Sequence, residues 1–292
     1  MKFVTKLSLI TFLSLSVNAG EIQYGKGNFE IKGGFIGLDK SINSDLQTYS
    51  FLEQHKNFGS SYWFYKYNFT FYDSEQMVQT QSSINSYTNG YFNPPISLTT
   101  PSIDYRIQGM DINIVLGRDI VKKDENNYFG LGLMIGISLP WIDSAKDDDN
   151  DDSSSDNIMD AMQKSKTEIY TYKIGPSITY RKSFNNLFSF YASGTMAYQN
   201  GTMKNDYINS ELVVNGLFQE YDLGFRFQPV SFDKKVGWFT LSPRLYATIG
   251  YRYTSWELKD IDIDITGANT TITKSDFSMK SKITYFGLGY SF

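Results

Sequence analysis

Between residues 128 and 141 the chain sets Phe129, Leu131, Leu133, Ile135, Ile137, Leu139 and Trp141 against Tyr128, Gly130, Gly132, Met134, Gly136 and Ser138. A strand turns successive side chains to opposite faces, so this spacing makes one oily face and one small or wettable face. The same period of two recurs along most of the chain. Trp63, Tyr65, Tyr67, Phe69 and Phe71 alternate with Tyr62, Phe64, Lys66, Asn68 and Thr70. Weaker versions run through 28–35, 103–116, 170–181, 188–198, 220–228 and 239–254, and the chain closes on Phe286, Leu288, Tyr290 and Phe292 with Gly287, Gly289 and Ser291 between them. In the run from Ile103 the oily parity slips at Gly109, from Ile103, Tyr105 and Ile107 to Met110, Ile112, Ile114 and Leu116, which predicts a β-bulge there.

Residues 1–19 have the layout of a secretory signal: Lys2 and Lys6, an apolar run from Leu7 to Leu15, and the small-residue site Val17-Asn18-Ala19 before Gly20. Without those two lysines the chain has 25 basic and 31 acidic residues, which is no footprint for nucleic acid. There is no cysteine, so disulfides and thiolate chemistry are excluded. Aromatics reach 16%, yet mean hydropathy is negative, and beyond residue 19 nothing approaches the ~18 continuous apolar residues of a membrane helix. A chain can be hydrophilic on average and still cross a bilayer if only alternate residues meet lipid.

The export signal, the recurring alternation and the terminal Phe286, Leu288, Tyr290 and Phe292 together resemble Gram-negative outer-membrane β-barrel proteins. The last strand of those proteins typically carries aromatic or aliphatic residues at alternate positions and ends in Phe. The resemblance implies an all-β, closed antiparallel transmembrane barrel, one domain over 20–292, set among outer-membrane lipid and lipopolysaccharide. It also implies that the terminal strand is read by the barrel assembly machinery. Connections near 119–127, 182–186 and 229–237 are short, and polar stretches near 74–101, 143–166 and 257–276 read as long outer loops. Both termini are then periplasmic and the strand number even. Nine runs are clear. A tenth strand at 46–53 gives the favoured ten-stranded barrel; the alternative is eight strands with an N-terminal extension.

Charged residues of these runs fall mostly on the less oily face: Lys66, Asp104, Arg106, Asp111, Lys173, Arg181, Glu220, Asp222, Arg226, Arg244 and Arg252. Lipid exposure of Lys or Arg at mid-membrane costs about 2–4 kcal/mol, so these are expected to line the lumen. A barrel of this size is only just wide enough for its own side chains or one small ligand. The expected role is therefore structural, or a narrow small-solute channel with a polar, partly filled lumen and a basic bias from Arg106, Arg226, Arg244 and Arg252. The alternative is a surface adhesin or receptor with an extracellular ligand on its loops. Tyr and Trp near run ends (Trp63, Tyr128, Trp141, Tyr170, Tyr180, Trp238, Tyr253, Trp256) suggest interfacial girdles.

Enzyme chemistry has little support. The one histidine, His55, follows Glu53 on one strand face, and Asp260, Asp262 and Asp264 offer spaced carboxylates. The Asp-x-His order of omptin-type outer-membrane proteases is missing, and nothing around His55 has the spacing of the barrel lipases. The acidic run 147–156 lacks the glycine and terminal glutamate of an EF-hand, so it reads as a solvated block with at most weak divalent binding. No cofactor motif is present.

Overall fold

The computed structural model describes residues 20–33, 38–56, 62–79, 83–85, 97–99, 103–121, 127–144, 166–205, 211–236, 239–263 and 272–290. Ten long strands carry the fold: β1 (Gly20–Gly33), β2 (Leu38–Lys56), β3 (Trp63–Ser74), β4 (Ile103–Asp119), β5 (Tyr128–Ser144), β6 (Thr167–Ser183), β7 (Phe188–Asn205), β8 (Glu211–Phe227), β9 (Leu245–Ile263) and β10 (Ile272–Tyr290). Each pairs antiparallel with its neighbours in sequence, and β10 pairs with β1, so the sheet closes on itself. Met77–Gln79 extends β3 against β4, while Ser83–Asn85 with Ser97–Thr99 and Lys234–Val236 with Phe239–Leu241 form small hairpins of their own.

The register fixes the tilt. Partners followed once round the wall run Glu21, Leu52, Asn68, Asn113, Gly136, Lys173, Gln199, Gly216, Leu258, Phe277 and back to β1 at Gly33. The path thus climbs from residue 21 to residue 33, about 1.2 residues per strand, which for ten strands corresponds to a tilt of about 40°. Gly20 and Tyr290 lie at one end, together with the connections after β2, β4, β6 and β8; the rule that short turns face the periplasm makes this the periplasmic end.

Polarity divides the barrel into two storeys. Towards the periplasmic end the outward side chains are oily and bare, including Leu116, Leu133, Ile135, Ile174, Phe225, Ile249 and Leu288, at 47–58% exposure. So large an apolar surface needs lipid against it. Towards the far end the order inverts. Phe29, Ile31, Leu46, Ile107, Ile142, Ile169, Met203, Val214, Trp256, Leu258, Phe277 and Met279 point inward and are buried in one cluster. The outward faces there carry Asn28, Glu30, Asp45, Gln108, Asn200 and Asn215. Beyond the bilayer the outside of the wall meets water, so apolar residues gain by turning in.

This inversion corrects several expectations. There is no bulge at Gly109, because β4 pairs in unbroken register with both β3 and β5 along this stretch; the oily parity changes because the strand leaves the membrane. Gly109 is there for Tyr72, whose hydroxyl would lie 2.3 Å and ring 2.4 Å from a Cβ at that position. In the first run Phe29 and Ile31 face the interior, and the outward oily residues of β1 are Ile22 and Tyr24. The tenth strand is all of Leu38–Lys56, so the eight-stranded alternative falls. The stretch 257–276 is mostly strand, with β9 and β10 leaving only 264–271 between them. Tyr128 and Trp256 are buried inside, at 3% and 4% exposure, and belong to no girdle. Trp63 and Tyr180 do lie outward.

Candidate functional site: the barrel lumen

The lumen of the membrane storey is built from the inward parity of all ten strands, and its centre is a pair of buried ions. Asp222 on β8 sits beside Arg252 on β9, its direct partner in register. One carboxylate oxygen, Oδ2, accepts from Arg252 Nε (3.2 Å) and Nη2 (2.9 Å). The other, Oδ1, accepts from the Tyr285 hydroxyl at 2.5 Å. Tyr285 has thereby committed its only proton, so the Tyr191 hydroxyl 2.5 Å away must donate to it. Arg252 continues outward from the pair, donating to Ser50 Oγ (3.1 Å) and Gln23 Oε1 (2.8 Å). Ser50 joins Thr70 at 2.8 Å and Thr70 donates to Asn68 at 3.0 Å, while Gln23 donates to Glu21, which also accepts from Thr248. Seven strands are tied into one polar web. Arg252 is 6% exposed and Asp222 3%, so neither ion is rewarded by water.

A second pair lies higher. Lys173 Nζ on β6 donates to Asp111 Oδ1 on β4 at 2.7 Å and rests 3.8 Å from the centre of the Phe218 ring. Lys173 is 1% exposed, and its ammonium is neutralised on one side and covered by an aromatic face on the other. Ser138 donates to the same Asp111 oxygen and in turn accepts from Trp256 Nε1 at 3.1 Å.

Several contacts cross the lumen from wall to wall. Trp256 on β9 reaches Ser138 on β5, Lys66 on β3 reaches Ser193 on β7 at 3.3 Å, and Gln54 on β2 donates to the hydroxyl of Tyr128 on β5. Trp256 also packs at 5.8 Å between ring centres against both Tyr72 and Phe218. Above this level stands the apolar cluster of the upper storey. Between the crossing contacts lie two small cavities of about 10 and about 20 Å³, each with room for about one water, and Glu220 lines both. Close packing has its own demand: Tyr285 lies over Gly250, where a Cβ would come within 2.5 Å of the ring.

Of the charged residues expected to line the lumen, Lys66, Asp111, Lys173, Arg181, Glu220, Asp222, Arg226 and Arg252 point inward. Arg226 stacks 3.3 Å over the Tyr246 ring at the periplasmic mouth. Arg106 does not belong with them. It lies on the outer face, held bidentate by Asp73 through Nε and Nη2 at 2.9 Å each. Arg244 is exposed in the turn before β9, which begins at Leu245 and not at Phe239 as the alternation suggested. Only two of the four arginines expected to bias a pore are therefore inside. The side chains of Asp104, His55 and Asp260, together with Asp264, Phe292 and the run 147–156, lie outside the described residues. Phe286, Leu288 and Tyr290 face outward at the membrane storey. Sequence reasoning missed Tyr285, Tyr191, Gln23 and Trp256 as lumen partners; all four share the inward parity of their strands, which was the available signal.

No family model matches this chain, and no curated protein matches it. Among solved structures it is similar in overall architecture to the outer-membrane protease OmpT from Escherichia coli, with 9% identity, a TM-score of 0.45 and 94% of this chain against 97% of that one. The toluene transporter TodX from Pseudomonas putida matches at 9% identity and a TM-score of 0.29, over 96% and 92% of the two chains. The attachment invasion locus protein Ail of Yersinia pestis matches at 8% identity and 0.24, over 91% and 98%. The closed ten-stranded barrel with its bare oily belt is itself the architecture of an integral outer-membrane protein.

Proposed function

We propose that this protein is a non-conducting outer-membrane barrel that works through its outward surface, as a rigid platform for an extracellular partner. The observation that carries this reading is the doubly stopped lumen: paired ions bridged across the membrane storey, and above them, among the described residues, a buried apolar cluster that fills the interior. Conduction needs a hydrated path, and a wall-to-wall layer of Trp256, Phe218 and Tyr72 offers none. The upper storey adds a stiff polar cylinder above the bilayer, which suits binding at the cell surface.

The test is single-channel recording in planar bilayers with the purified full-length mature protein. No unitary conductance steps are expected in concentrated salt, whereas a Trp256→Gly/Phe218→Ala variant should give measurable leak. Regular steps from the unmodified protein would overturn the reading and restore the narrow channel. The platform is tested separately, by binding of intact cells to host-surface glycans and proteins with and without the barrel.

A further inference from the structure

The oily belt is lopsided. On β5 and β6 the outward apolar residues continue up through Leu139, Trp141, Tyr172 and Tyr170, but on β1 they end at Tyr24 and on β10 at Phe286. Above these come Lys26 on β1 and Lys282 and Lys280 on β10, all on the outward parity. With the climb of about 1.2 residues per strand taken into account, Lys26 lies level with Ile174, and Lys282 with Ile137, on the opposite wall. At about 3.3 Å per residue and about 40° of tilt, the oily rim is roughly 15 Å lower on the β10–β1 side. A flat bilayer fitted to β5 and β6 would bury these ammonium groups among acyl chains.

We infer that the β10–β1 wall binds the phosphate-bearing headgroup of an outer-leaflet glycolipid, drawn down to Lys26, Lys280 and Lys282. Charge complementarity supports this occupant. None of the three lysines makes an ion pair among the described residues; of the carboxylates on this face, Glu30 stands directly opposite Lys280, while Glu257 and Asp45 are diagonal to Lys280 and Lys26, and all three sit higher on the wall than Lys26 and Lys282, away from the belt. Lys280 and Lys282 stand two residues apart on one strand, and Lys26 is diagonal to Lys282 across the pair, spacings of roughly 7 Å that let one or two phosphates touch all three. Tyr253, directly opposite Lys282, and Tyr24 place amphipathic rings at the boundary between headgroup and chains. The site stands whether or not the lumen conducts.

The experiment uses the full mature protein in nanodiscs of phosphatidylethanolamine doped with bisphosphorylated lipid A or with the same lipid dephosphorylated, and reads lipid retention by native mass spectrometry. Wild type is expected to retain the bisphosphorylated lipid. Lys26→Gln/Lys280→Gln/Lys282→Gln is expected to retain it roughly a hundredfold more weakly, and Lys282→Gln alone roughly fivefold more weakly, from the usual effect of one basic residue at an anionic surface. The matching Lys→Arg triple and a Lys182→Gln/Lys204→Gln control should bind like wild type. Equal retention of the phosphorylated and dephosphorylated lipids by wild type would overturn the inference, as would undiminished retention by the folded single or triple Gln variant. So would a dimer in detergent that the Gln variants dissociate, which would give this wall to a second copy of the chain.

Discussion

Replacing Asp222 by Asn tests whether the lumen is dry. The substitution keeps shape and one acceptor but removes the charge that Arg252 faces at 2.9 Å, in a place where Arg252 is 6% exposed. Breaking one side of a buried pair typically costs about 3–5 kcal/mol, because the remaining charge stays desolvated. Tyr285 also loses an ionised acceptor at 2.5 Å, and a hydrogen bond to a charged group contributes about 1.5–3 kcal/mol. The two losses share one carboxylate and do not add, so the expected cost is about 4 kcal/mol. In a water-filled pore the same pair would contribute about 0–1 kcal/mol, screened as at a surface. Urea unfolding in phospholipid vesicles, followed by tryptophan fluorescence and by the mobility difference between folded and heat-denatured protein, measures the change. A double-mutant cycle of Asp222→Asn with Tyr285→Phe should give a coupling above about 1 kcal/mol. A cost below about 1 kcal/mol for Asp222→Asn would refute the filled-lumen argument at its centre.

Other perturbations probe the remaining walls. Ile135→Arg, on the bare face of β5, should cost about 2–4 kcal/mol in the same unfolding assay, while Asn200→Arg, on the outward face of the upper storey, should cost less than about 0.5 kcal/mol. Gly109→Val should destabilise by about 1–3 kcal/mol, because its Cβ meets the Tyr72 ring, and Tyr72→Ala in the same chain should recover much of that loss. Trp256→Ala should cost about 3–5 kcal/mol and increase hydrogen exchange of the backbone amides around Ser138, whose side chain loses its cross-lumen donor.

The membrane storey was legible in the sequence, and the upper storey was not. From Phe129 to Trp141 the outward and inward residues differ as sharply as oil and glycine, so parity alone places every side chain. Asp222, Arg252, Lys173 and Asp111 were placed for the same reason: a charge on the less oily face of a membrane strand has nowhere to go but in. Arg106 failed that rule because it sits on β4 beyond the belt, where its outward face meets water and Asp73. Arg244 failed because a turn, which has no parity, interrupts the run read from Phe239, and the strand begins only at Leu245. Which partners the charges choose, Tyr285 for Asp222 or Phe218 for Lys173, depends on the register round the barrel, and no local pattern carries it.

The parity change at Gly109 shows what the upper storey does to such a reading. A strand whose oily residues switch from odd to even positions can either insert a residue or cross from one solvent to another, and both leave the same trace in sequence. β1 makes the crossing too, with Ile22 and Tyr24 outward and Phe29 and Ile31 inward, separated by Gly25 and Gly27 on the interior side. In β1 the change falls between residues 24 and 29, and in β4 between 107 and 110. With unbroken hydrogen-bond partners at Gly109, the switch there marks the edge of the bilayer and not a defect in the sheet. That edge is also what seals the barrel. A cylinder too narrow to hold water among oily residues must pack them together once they turn inward, so the part of the wall that stands above the lipid becomes its own stopper.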